Sequence, residues 1–476
     1  MSEPEEQPLS PFSRLFHSSD FNVTLLITLG CRTKCVVPAI IEGLKHTLIK
    51  HPRFSSKMEM DGGKRGNPIW ARTKVRVEDH VFVPDIDPDM EGPDQFLEDY
   101  ISNLTTLPMD MSRPLWELHL LQVKTSDAES VGVFKIHHSL GDGMSLMSLF
   151  LACCRKTSNP QALPTVPVTN KLVGPSGFLG KIWWTVVGFW LLIRLILNTC
   201  VDVFMFVVTI FFLKDTKTLI KGKPSVQRHA AKTFVRKIIS LDDIKTVKNA
   251  MNMTVNDVLL GMTQAGLSRY LNRRYDEETV PGSKKVLEKA RIRSTVYMNL
   301  RPNTRIEDLA DMMAKGSNCR WGNWIGFVLL PFSMKPESDP LEHVRRAKAT
   351  IDRKKLSFEA MLSFASVDIV MRVFGFKAVE TVVRRINGNT TMTFSSVLGP
   401  TEEISFCGHP ISYIAPSGYG HSHAITLHYQ SYVDKMIISM GIDPTVVPDP
   451  HNLADDLAES LKAIKSAVLE RGLCKV

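Results

Sequence analysis

The chain has 476 residues, too many for one ordinary core and enough for about two domains of ~100–200 residues each. With 44% hydrophobic and 22% charged residues it is globular, which excludes disordered and collagen-like classes. A formal net charge of +9 favours an anionic partner, whether lipid surface, phosphorylated ligand or nucleic acid, and does not choose among them.

The opening MSEPEEQPLSP is acidic and proline-rich, the opposite of the basic, then apolar, start of a secretory signal, so the body of the chain is expected in the cytosol. Eight cysteines (31, 35, 153, 154, 200, 319, 407 and 474) form no CxxC pair and are expected to be reduced. From Asn22 to about Leu151 strand-like and helical runs alternate, an α/β pattern. NVTLLITLG, WELHLLQV and ESVGVFKIHH read as strands, and VPAIIEGLKHTLIKH as a helix. In the third strand Phe134, Ile136 and His138 share one face and Val133, Lys135 and His137 the other, so the two histidines diverge. SLGDG then supplies turn residues, and MSLMSLFLACC a buried helix, placing His138 where a strand becomes a loop.

Ile182 to Leu213 is almost wholly apolar, its only charges Arg194 and Asp202. A membrane span needs ~20 apolar residues. A pair of buried core helices is the bland alternative. One complete span would separate halves that share a site, so the expected form is a hairpin or an in-plane anchor. Lysines flank both ends, Lys171 and Lys181 before and Lys214, Lys217, Lys221 and Lys223 after, so both ends suit the cytosolic side.

A second α/β block begins near Lys232. TVNDVLLGMTQAGLSRYL is a helix capped by Thr254 or an asparagine, and RIRSTVYMNLRP, TMTFSSVLGP and DKMIISMGID are strands. NLADDLAESLKAIKSAVLERG is an amphipathic helix closed by Gly472. The expected domains are 1–177, a hydrophobic segment 178–214, and 215–476.

A histidine at a strand–loop junction, with an ordinary pKa near ~6.5, can take a proton from a hydroxyl at neutral pH. Consecutive strand residues diverge and no nearby cluster completes a tetrahedron, which argues against a metal site. A lone histidine would by default be structural. No GxSxG occurs, and neither Cys153 nor Cys154 has a base beside it in sequence, so nothing marks a nucleophile. The basic pI is unaccompanied by an aromatic–basic stripe or zinc pattern, which argues against nucleic acid.

The stretch containing His137, His138, Asp142 and Gly143 reads HHxxxDG. It resembles the motif of acyltransferases related to chloramphenicol acetyltransferase, carnitine acyltransferases and condensation domains. PLSPFSRLF, SRPLWELHLL (with Pro114, Leu115 and Trp116), TVNDVLL and SSVLGP narrow the resemblance, over nearly the whole chain, to the plant form of the wax ester synthase/diacylglycerol acyltransferase family. The family's Ser-Asn-Val-Pro-Gly-Pro reads here with Ser396 for the asparagine and Leu398 for the first proline.

The resemblance implies an α/β fold of two chloramphenicol-acetyltransferase-like lobes around a tunnel, with a membrane-associating insert. It implies a bifunctional acyl-CoA-dependent O-acyltransferase acting on a long-chain alcohol or diacylglycerol, at the endoplasmic reticulum membrane or also the plasma membrane, with a cytosol-facing site. Acyl-CoA would be a co-substrate, without cofactor or metal. The alternatives are an inactive lipid-binding protein, or transfer to a sterol or phenolic alcohol. By analogy His138 is the general base, with His137 beside it. Asp142 is expected to pair with Arg301 as a clamp between the lobes, and Gly143 to let the backbone turn or the substrate approach.

Ser395 and Ser396 are candidate oxyanion donors. Trp116 is a motif residue expected either in the core or at substrate. Asn256 and Asp257 are candidates for the site or for capping their helix. Arg273, Arg274, Lys284 and Lys285 are candidate phosphate contacts, or an ordinary solvated charged loop.

Overall fold

The computed structural model describes residues 6–60, 67–87, 89–167, 178–222, 231–278, 287–300, 306–316 and 321–473, with backbone only for 178–184. The first half runs β1 (Glu6–Pro8), α1 (Pro11–Leu15), β2 (Thr24–Cys31), α2 (Val37–His46), β3 (Ser56–Glu59), β4 (Ile69–Arg72), β5 (Val81–Phe82), α3 (Pro93–Leu104), β6 (Trp116–Leu121), β7 (Ser130–His137), α4 (Gly143–Cys153) and β8 (Cys154–Lys156). A single helix, α5 (Phe178–Phe211), leads to the second half. That half runs β9 (Thr233–Ser240), α6 (Leu241–Ala250), α7 (Val255–Glu277), β10 (Ile292–Asn299), α8 (Ile306–Lys315), β11 (Ile325–Phe332), α9 (Pro340–Lys355), α10 (Glu359–Phe374), α11 (Phe376–Asn389), β12 (Met392–Val397), β13 (Ile404–Phe406), β14 (His409–Tyr419), β15 (Ile425–Tyr432), β16 (Lys435–Ile442) and α12 (Pro450–Glu470).

The expected strands and helices are present within a few residues. Thr254 caps α7 in a reciprocal capping box with Asp257, and Gly472, at φ 61°, follows the last helix in the left-handed conformation that favours glycine.

Two large sheets form, one for each lobe. The first has the order β5-β6-β7-β2-β14-β13-β8 and the second β11-β10-β12-β15-β16-β9. The lobes exchange chain: β13 and β14 lie within 215–476 yet complete the first sheet, β14 pairing antiparallel with β2 from Thr24 to Cys31. The halves of the sequence are therefore not the halves of the fold. One core cluster fills the first lobe and takes in Ile404, Ile411 and Ile414 from the exchanged strands. Another lies between α7, α12 and one face of the second sheet.

The hydrophobic segment corrects the expectation of a hairpin, because α5 is one continuous helix of 34 residues. Its C-terminal half is tied to the second lobe on one side. Asn198 Nδ2 donates to the Leu356 carbonyl (3.0 Å), Lys354 Nζ to Asp202 Oδ1 (2.9 Å) and Asn389 Nδ2 to the Thr209 carbonyl (2.7 Å). Its other side is bare, with Phe189, Trp190, Leu197 and Phe204 exposed. Thr185–Phe211 is long and apolar enough to cross a membrane.

Candidate active site

A cavity of about 390 Å³ lies between the lobes. From the first it is lined by Phe16, Val23, Leu25, Ile27, His138, Asp142 and Gly143, and from the second by Asn256, Tyr297, Ser395, Ser396, His421, His428 and Gln430.

His138 follows directly on β7, and its backbone N–H donates to the Val23 carbonyl (2.9 Å). Its ring stacks on Phe16 with centroids 4.1 Å apart. The side-chain amide of Asn323, from just before β11, donates to the His138 carbonyl (2.9 Å). Ser13 on α1 donates to the carbonyl of Ser139 (3.0 Å), so the PLSPFSRLF stretch is a brace under the histidine loop. Burial lowers the His138 pKa, while its own backbone carbonyl, the charge of Asp142 and Asn323 work the other way. The ring is therefore neutral at pH 7, the form a base requires.

His137 points away, as strand alternation requires, and does not line the cavity. Its Nε2–H donates to Asn22 Oδ1 (2.8 Å), Nδ1 accepts from Ser139 Oγ (2.7 Å), and the ring stacks on His17 at 4.1 Å. Burial holds its pKa well below the usual histidine range. Its expected place among the catalytic residues is corrected to a structural one: both ring nitrogens are occupied, and the ring lies behind the strand.

Asp142 caps α4. Its Oδ1 accepts from the Ser145 backbone N–H (2.9 Å) and hydroxyl (2.7 Å), and its Oδ2 from the Trp324 N–H (3.3 Å). One buried carboxylate thus joins the histidine loop, the following helix and the approach to β11. The expected partner, Arg301, lies outside the described residues, as do Lys284 and Lys285. Gly143 opens α4 at the cavity edge, and a Cβ there would meet nothing within 4 Å, leaving room for substrate. Gly141 is different: a Cβ would come 2.8 Å from the ring of Trp321, whose indole donates to the Leu140 carbonyl (2.6 Å).

Trp116 is corrected to core. It is 0% exposed, its indole donates to the Phe54 carbonyl (3.0 Å) and it stacks on His80, because every residue of β6 is buried. Asn256 lines the cavity, whereas Asp257 is used in the cap of α7. Arg273 and Arg274 pair with Asp449, Asp456 and Glu278, so their charges are already matched within the chain.

On β12, Ser395 pairs in register with His428 and Ser396 with Tyr429. The Tyr429 hydroxyl lies 2.6 Å from Thr263 on α7, so Ser396 belongs to the helix-covered face and Ser395 to the face toward the first lobe. No local pattern marks His421, His428 or Tyr297: His428 and Tyr297 arrive in the cavity through the pairing of distant strands, and His421 on the loop between β14 and β15.

The sequence profile of the wax ester synthase/diacylglycerol acyltransferase catalytic domain matches residues 13–259, and that of the WS/DGAT C-terminal domain residues 321–465. The chain belongs to this family. It is 61% identical to wax ester synthase/diacylglycerol acyltransferase 11 of Arabidopsis thaliana over 475 residues, covering 99% of this chain and 97% of the relative. Identity to number 3 of the same plant is 53%, over 99% and 96%.

Among solved structures, the WS/DGAT of Marinobacter aquaeolei VT8 superposes with a TM-score of 0.59 at 16% identity, over 97% of this chain and 99% of that one. The first condensation domain of the calcium-dependent antibiotic synthetase gives 0.60 at 11%, over 98% and 97%. At these identities the two structures speak for the fold, two lobes facing a shared cleft. In this WS/DGAT chain the departures from the usual Ser-Asn-Val-Pro-Gly-Pro leave β12 regular through Val397. The glycine remains essential, since a Cβ at Gly399 would sit 2.0 Å from the Ser431 carbonyl oxygen.

Proposed function

We propose that the chain transfers a long-chain fatty acyl group from acyl-CoA to the hydroxyl of a fatty alcohol, giving a wax ester, or of diacylglycerol, giving triacylglycerol. The observation that carries this reading is the neutral imidazole of His138 on the wall of a largely apolar cavity between two lobes. Nδ1 is the buried nitrogen of that ring, which leaves Nε2 toward the cavity.

The acceptor hydroxyl gives its proton to Nε2 as its oxygen forms a bond to the thioester carbonyl carbon, and the carbonyl π pair moves onto oxygen. When that pair returns, the C–S bond breaks. The departing CoA thiolate takes the proton from the imidazolium, leaving ester, CoA thiol and neutral His138. No acyl-enzyme is formed, and acyl-CoA is a co-substrate rather than a bound cofactor.

We further propose that α5 lies in the face of a membrane, that of the endoplasmic reticulum being the natural source of these lipids, with the cavity on the cytosolic side. The two halves of the sequence share the first sheet and so occupy one side of any bilayer. If α5 crossed ~30 Å of hydrocarbon, the ten residues 168–177, with Asn170 and Lys171 among them, would have to cross it again. An in-plane helix avoids this. Exposed Met361, Ile369 and Val373 extend the apolar face onto α10, and Lys354, which holds Asp202 of α5, also lines the cavity. The lipid-facing helix is thus bonded to the wall of the site.

The test supplies radiolabelled palmitoyl-CoA with hexadecanol or diacylglycerol to the membrane-bound chain and to His138→Ala. Ester from at least one acceptor, lost in the variant, is expected; ester from neither, or equally from the variant, overturns the reading. Replacing Phe189, Trp190 and Phe204 together by serine is expected to weaken sedimentation with phospholipid vesicles by ~1,000-fold or more, from ~1.5–3 kcal/mol per large apolar side chain.

A further inference from the structure

The chemistry above creates a negative charge on the carbonyl oxygen, which a hydrogen-bond donor on the cavity wall would stabilise. Across the cavity the second sheet presents an imidazole that no hydrogen bond among the described residues explains. His428 lies on β15, in register with Ser395 on β12, and both line the cavity that His138 lines. Its neighbours Leu427 and Tyr429 are fully buried toward α7, so alternation turns His428 the other way, to the first lobe. The ring keeps some accessible surface, while its Nδ1 is buried and has no hydrogen-bond partner among the described residues.

An unpaired polar atom in an apolar interior costs stability. A leucine or valine would suit this strand position better if packing alone were at stake.

We infer that His428 is a second catalytic imidazole, donating an N–H, beside the hydroxyl of Ser395, to the carbonyl oxygen of the acyl thioester as that oxygen becomes negative. The inference rests on the acyl-transfer reading and extends it by naming the oxyanion donors. The role calls for a neutral ring. A cation at this place would oppose protonation of His138 in the same step, whereas a neutral N–H stabilises the oxyanion without that penalty. The surroundings supply that neutrality: burial first, and then the charge His138 would carry, push His428 down to about 4. The two imidazoles divide the work. His138 carries the proton from alcohol to thiolate, and His428 keeps its own proton and shares it with the oxygen.

The test compares His428→Ala and His428→Gln with the unaltered chain, measuring kcat, KM for palmitoyl-CoA and for hexadecanol, binding of a non-reacting thioether analogue of palmitoyl-CoA, and thermal melting. For His428→Ala the expectation is a fall in kcat of ~100-fold, with both KM values and analogue binding within about threefold of the unaltered chain. His428→Gln keeps a side-chain N–H and is expected to recover to within about tenfold of the unaltered rate.

A rise in KM at constant kcat would overturn the inference, since the ring would then only shape the cavity. Equal losses in both variants, with lowered melting, would overturn it in favour of a packing role. An active chain indifferent to both substitutions would overturn this inference alone. A chain inactive on either acceptor would overturn the acyl-transfer reading and this inference with it.

Discussion

The two walls of the cavity are built by different means. On the first lobe, His138, Asp142, Gly143, Leu146 and Met147 come from ten consecutive residues, held by a strand end, a turn and a helix cap. On the second, Tyr297, Ser395 and His428 come from three strands more than 130 residues apart at the extremes, and only sheet register sets them on one face. A contiguous wall can be recognised as a motif because its geometry is local. A dispersed wall carries its chemistry without any local pattern to announce it.

The comparison can be broken experimentally, beginning with the largest effect. His138→Ala is expected to lower the transfer rate ~1,000-fold without changing the melting temperature, since a positioned general base contributes about 10²–10⁴-fold. A loss below tenfold would place the base elsewhere.

Asp142→Ala removes the cap of α4 and the acceptor for the Trp324 N–H. The expected result is a rate loss of roughly tenfold together with destabilisation of about 1–2 kcal/mol, read from denaturant unfolding. A rate as low as that of His138→Ala with unchanged stability would mean that the carboxylate takes part in the chemistry.

On the dispersed wall, Ser395→Ala is expected to cost about tenfold in kcat, roughly the worth of one hydrogen bond, and Ser396→Ala less than about threefold. The reverse order would show that β12 presents its other face to substrate.

The smallest effect concerns both lobes at once. Burial pushes His17 down to about 4 and His51 to about 3 in the first lobe, and His423 to about 3 in the second. Each is neutral when folded and takes a proton when unfolded below about pH 6.5. The unfolded chain therefore binds more protons as pH falls from about 6.5 toward 4, and stability is lost over that window. Melting followed from about pH 7 to about pH 5 is expected to drop by several degrees; a flat profile would contradict the burial of these rings.

The legible parts of the sequence share a physical property. Strand β7 announced itself by alternation and α7 by its cap, and the divergence of His137 and His138 followed from a period of two. Trp116 was open between core and site, because a buried aromatic and a substrate contact look alike until the neighbouring strands are placed. Of the two forms expected between Ile182 and Leu213, a hairpin or an in-plane anchor, the hairpin failed for a related reason. Apolar composition specifies burial in something greasy, but the bend is decided by what each residue touches. Here Asn198, Asp202 and Thr209 hold one continuous helix against the second lobe.

By itself the sequence determined the α/β class, the strand–loop placement of His138, the apolar segment and the family, because periodicity, turn chemistry and motif spacing act over a few residues. Tertiary structure alone decided that β13 and β14 cross to the first sheet, that Asp142 binds the Trp324 backbone, and that Ser395 and His428 stand together in the cavity. Those outcomes depend on pairing between segments far apart in the chain, where a one-residue change of register would turn every side chain to the opposite face.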